Sequence, residues 1–109
     1  MKRYKVVFSD LAKADLQEIV NYIAVADDLS NAKHVERSIL SQAKKLRIFP
    51  EGYPKDPYVS TPERIIRFAI KWRYKILFVV DDSVFEVQII GIFHMAQDTQ
   101  SMANKFLNK

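Results

Sequence analysis

The chain has 109 residues, 49% of them hydrophobic and 12% aromatic, and a net charge of +4. Such a length and apolar content can close one core without staples, so a single folded domain over 1–109 is expected and disorder is not. The absence of cysteine excludes disulfides and thiolate chemistry.

No stretch at the N-terminus reads as a signal peptide, and no apolar run approaches the ~18 residues that a bilayer span needs. A cytoplasmic protein with no membrane partner is the expectation. The modest positive charge suits a polyanion or an acidic protein, although an ordinary solvated surface carries as much.

Tyr4, Val6 and Phe8 alternate with Arg3, Lys5 and Val7, the period of a strand with one buried face. Ser9 and Asp10 then offer a helix cap. Leu16, Ile19, Val20 and Ile23 follow at helical spacing with Lys13, Asp15, Glu18 and Asn21 assigned to other faces, which predicts an amphipathic helix ending near Asp27. After a short turn, Ser30 is the expected cap of a second helix whose stripe, Val35, Ile39, Ala43 and Leu46, runs on to Phe49 before Pro50 stops it. So short a turn makes the two helices an antiparallel hairpin, and the sheet is the surface left to bury their stripes.

All four prolines and Gly52 fall between Pro50 and Pro62, which reads as an ordered surface connection rather than an element. Ile66, Phe68 and Ile70 then alternate with Arg67, Ala69 and Lys71, and Tyr74, Ile76, Phe78 and Val80 alternate with Arg73, Lys75, Leu77 and Val79. Two strands reversing between Ile70 and Arg73 are predicted. A turn at Asp81-Asp82-Ser83 precedes Val84 to Phe93, which is apolar on both faces towards its end and reads as an interior strand. The tail, 95–109, is read as a short helix or a frayed end.

Metal and cofactor sites are not expected: His34 and His94 are far apart in sequence, and two isolated glycines supply no phosphate-cradling loop. What the β half does carry is a basic set, Arg64, Arg67, Lys71, Arg73 and Lys75, with Tyr74 nearby and His94 at the end of the last strand. Cations of this kind bind phosphates, and a histidine moves protons near neutral pH, so the set could hold or cut RNA without a metal. The plainer alternative is that these side chains solvate the outer face of the sheet and that His94, sharing the parity of Ile90 and Ile92, packs against apolar neighbours. Trp72, beside the expected turn, is read as an anchor at the core's edge, and the cations of the second helix, Lys33, Arg37, Lys44, Lys45 and Arg47, as a solvated face.

Taken together, Tyr4-Lys5-Val6-Val7-Phe8-Ser9, Ala12 and Asp15-Leu16, the run from Ile19 to Tyr22-Ile23, Leu46 with Phe49-Pro50, Tyr74-Lys75-Ile76-Leu77-Phe78, and Ile92-Phe93-His94 resemble the RelE/ParE toxin superfamily. The resemblance implies an α+β fold, an N-terminal strand and an antiparallel helical hairpin packed on a small, mainly antiparallel β-sheet. It implies the toxin of a type II toxin–antitoxin, plasmid-stabilisation module, neutralised by an antitoxin that the basic charge suggests is acidic. ParE-like members poison DNA gyrase, whereas RelE-like members cut mRNA on the ribosome. The long hairpin and the ending Phe93-His94 look closer to ParE, and Met95-Ala96-Gln97 stands where relatives often carry arginines. The reading is therefore a ParE-like toxin that binds gyrase rather than breaking bonds. The alternatives are a ribosome-dependent endoribonuclease using Arg67, Lys71, Arg73 and His94, and a non-toxic relative that only binds its antitoxin.

Overall fold

In the computed structural model the described residues are 3–95; the expected final helix lies outside them from 96 onward. Seven elements follow in order: β1 (Lys5–Phe8), α1 (Asp10–Ala26), α2 (Leu29–Lys45), a 3-10 turn (Pro50–Gly52), β2 (Arg67–Lys71), β3 (Tyr74–Asp81) and β4 (Glu86–His94).

Ser9 separates β1 from α1 because its hydroxyl accepts the Ala12 N–H at 3.0 Å, satisfying one of the donors that a helix start leaves open. α1 buries Ala12, Leu16 and Val20 and, contrary to the face assigned from sequence, Asp15 as well. The cap of α2 is Asp28, not Ser30: its carboxylate accepts the Asn31 N–H at 2.6 Å. An ionised cap at a helix N-terminus has both the hydrogen bond and the dipole in its favour. Ala32, Val35, Ile39 and Ala43 form the buried stripe of α2. The helix stops at Lys45, short of Phe49, because Ile48 turns away to bridge Arg3 beside β1, and Phe49 takes a left-handed backbone with φ 50° just before Pro50.

The four strands lie in the order β1-β4-β3-β2, with β1 parallel to β4 and the other neighbours antiparallel. A parallel neighbour for β1 requires the chain to cross over the sheet, and the helical hairpin and β2–β3 are that crossover. β4 starts at Glu86 rather than Val84, since Phe85 turns through φ 51°. Along it, Val87, Ile89, Ile90, Ile92 and Phe93 are all buried, as an interior strand demands.

The register shifts between Leu77 and Phe78, so that Leu77 faces Gly91 and Phe78 faces Ile89. Ile90 is the extra residue of a β-bulge, and the bulge breaks simple alternation. Ile89 and Ile92 join Ile76, Phe78 and the helices in one core, while Ile90 and Phe93 join Leu77, Val59 and Ile66 in a second core on the other face. The proline-rich connection is thus more than a surface crossing: it covers that second face with Val59 and shields half the outer edge of β2 through Phe68 N–H donating to the Pro54 carbonyl at 3.1 Å.

Candidate functional site

The five cations singled out in the β half do not share a face. Ala69, Ile76 and Phe78 point to the helices while Phe68 and Leu77 point to the connection, so Arg67 and Lys71 fall on the helix side and Lys75 on the other. Lys75 donates to the Asp56 carboxylate at 2.8 Å, with Asp56 only 1% exposed, and its ammonium lies 4.6 Å from the centre of the Phe68 ring. Asp56 also accepts the Tyr58 N–H at 2.8 Å and the Val59 N–H at 3.2 Å. This buried pair fastens the connection to the sheet.

Arg67 donates through Nη1 to the Tyr53 carbonyl at 2.7 Å, again holding the connection. Arg64 is exposed, its backbone N–H closing a turn onto Thr61. Lys71 lies over the Trp72 ring at 4.8 Å, and Arg73 is exposed in the two-residue turn between β2 and β3.

His94 ends β4 directly opposite Tyr74, their rings edge to face at 5.5 Å and 87°. Because of the bulge it shares the helix side with Ile92, not with Ile90. Together they form one wall of a groove of about 550 Å³ between the C-terminal end of β4 and α1, whose other wall is Asp15, Glu18, Ile19, Tyr22 and Ile23. Asp15 anchors this wall to the strand: its Oδ2 accepts the Ile92 N–H at 3.1 Å, a donor just past the bulge. Burial holds the Tyr74 phenol above its ordinary pKa, the positive charge of Arg73 opposes that rise, and Tyr22 adds to it. Tyr74 is therefore a neutral phenol at physiological pH, suited to hydrogen bonding rather than to acting as a base.

Of the residues read from sequence, the structure brings His94 and Tyr74 together and sets Lys75 and Arg67 to holding the connection. The α1 wall was missed. Its signal was present, since Asp15, Glu18, Ile19, Tyr22 and Ile23 recur at helical spacing, but Asp15 and Glu18 were counted as solvated because they are charged. The ionisable groups lining the groove are two carboxylates, two phenols and one imidazole, and among its described lining residues there is no lysine or arginine. Such a surface favours an apolar or aromatic guest over a phosphate. Among the described residues no cluster of histidines and carboxylates could hold a metal ion, and no helix is long and apolar enough to cross a membrane.

A family model described as the ParE toxin of the type II toxin–antitoxin system parDE matches residues 6–99. Among solved structures, the chain is similar to the chromosomal ParDE toxin–antitoxin system from P. aeruginosa, with a TM-score of 0.69 and 22% identity over 84% of this chain and 96% of that one. It is similar also to the RelBE2 toxin–antitoxin complex from Mycobacterium tuberculosis, with a TM-score of 0.66 and 20% identity over 89% and 97% of the two chains. A third likeness is to the archaeal RelE–RelB complex from Pyrococcus horikoshii OT3, with a TM-score of 0.61 and 16% identity over 89% and 100%. No curated protein matches. At these identities the solved structures speak to the fold alone.

Proposed function

The chain belongs to the ParE toxin family of type II toxin–antitoxin systems, and we propose that it arrests growth by binding DNA gyrase and is silenced by a cognate acidic antitoxin. The observation that supports binding over bond cleavage is the dispersal of the basic residues. An RNA-cutting centre needs cations converging on the scissile phosphate next to the proton-transfer group. Here the charged neighbours of His94 across the groove are Asp15 and Glu18, while Lys75 pairs with Asp56 on the opposite face. His94 serves as part of a docking wall with Tyr74. The aromatic groove receives an apolar anchor of the protein partner, and the exposed cations elsewhere attract the acidic antitoxin.

The test is induction of this chain alone in a bacterial host, with thymidine and methionine incorporation followed side by side. DNA synthesis is expected to fall first, and co-expression of the antitoxin is expected to restore it. An earlier fall in methionine incorporation would move the reading to mRNA cleavage, and no fall in either would leave an antitoxin-binding relative without toxicity. His94→Ala is expected to keep the protein folded and at least half as toxic, the rest of the wall carrying the docking, whereas loss of toxicity in a folded variant that still binds gyrase would restore a chemical role to the imidazole.

A further inference from the structure

Two features that look unrelated in sequence meet at the tip of the β2–β3 hairpin. Trp72 is 50% exposed and stands in a left-handed backbone conformation, φ 53°, which a bulky residue rarely adopts and glycine would adopt freely. Its indole lies 5.5 Å from the His34 ring of α2, tilted by 37°. That contact sets the hairpin tip, with Lys71 and Arg73, beside a turn of α2 that carries Lys33 and Arg37, the latter one helical turn beyond His34. Glu36, the acid of the same turn, points elsewhere and lines a cleft against α1 with Lys13 and Gln17.

We propose that this tip binds single-stranded nucleic acid, an unpaired base stacking on Trp72 and its flanking phosphates meeting Lys33, Arg37, Lys71 and Arg73. An exposed aromatic ring framed by cations is the surface such strands use, because every base offers a π-face and every nucleotide a phosphate. Lys71 now lies over the indole at 4.8 Å. An exposed cation–π contact is weaker than base stacking, so the base displaces the ammonium, which then turns to a phosphate. The site adjoins the groove at His94, Arg73 preceding Tyr74 and its carbonyl accepting the Met95 N–H at 2.7 Å, but shares no residue with its lining and does not depend on the gyrase reading.

Trp72 is the sole tryptophan, so its emission reports this site directly. Titration of the purified full chain with short oligothymidylate and oligouridylate is expected to quench it saturably. Response to both identifies base and phosphate as the determinants, and preference for oligouridylate adds the 2′-hydroxyl. The double variant Lys33→Gln/Arg37→Gln keeps the tryptophan and lies on an exposed helix surface. It is expected to bind roughly tenfold more weakly and to flatten the salt dependence by about 1.4 in log–log slope, the share of two phosphates on a single strand. Trp72→Gly suits the backbone at that position and is expected to weaken binding of a labelled oligonucleotide about tenfold. Absence of quenching, unchanged binding by the double variant, or equal quenching by polyglutamate would each overturn the proposal.

Discussion

Lys75 and Asp56 show how a charge that reads as solvated becomes structural. The carboxylate is buried with three donors around it, one from Lys75 and two from backbone amides. Removing one member of a buried pair leaves its partner uncompensated, and Asp56→Ala is expected to cost about 3 kcal/mol in urea unfolding, with a loss under about 1 kcal/mol contradicting the assignment. A second contact, that of the Tyr4 hydroxyl at the edge of the core, has a pH signature. Its hydroxyl donates to Asp82 at 2.5 Å and lies 3.4 Å from Glu51. The hydrogen bond to Asp82, then desolvation, then the charges of Asp82 and Glu51 push the phenol up to about 12. The folded chain thus holds this proton more tightly than the unfolded one, where tyrosine titrates near ~10. The stabilisation is complete below that value and is lost as pH rises through about 12. The stability difference between wild type and Tyr4→Phe is expected to be flat to about pH 10 and to shrink above it; parallel profiles would contradict the linkage.

Both helices were readable because their apolar stripes are long and regular, and α1 is capped by Ser9, one of the two residues expected there, and ends at Ala26 beside Asp27. The start of α2 was misplaced. Ser30 and Asp28 are both good caps, and the choice rests on which side chain meets a free backbone N–H, a matter of backbone geometry rather than residue type. Asp28→Ala is accordingly expected to lower stability by about 1 kcal/mol in thermal or urea unfolding, whereas Ser30→Ala, inside the first turn, is expected to change it by under about 0.5 kcal/mol. The bulge at Ile90 was not readable, since every residue from Ile89 to Phe93 is apolar or glycine and any alternation fits. That single shift decides which face His94 takes. The β2–β3 reversal was located but unmarked, because Trp72 stands where glycine would have signalled the turn.

Across the whole molecule, the sheet has two used faces. The hairpin covers one and the proline-rich connection the other, and the connection claims Arg67 and Lys75 from a basic set that looks continuous in sequence. Family membership was legible because the resemblance is carried by core positions such as Leu16, Ile76 and Phe78. The target was not, because it depends on which exposed side chains converge, and the fold alone does not decide that. The measurement that bears most directly on the proposed function is incubation of the purified chain with DNA gyrase and a relaxed plasmid, beside a ribosomal translation reaction carrying a labelled mRNA. Loss of supercoiling with intact mRNA, preserved in His94→Ala and reversed by the antitoxin, is the expected result. Cut mRNA with supercoiling unaffected would contradict it and return the chain to bond-breaking chemistry.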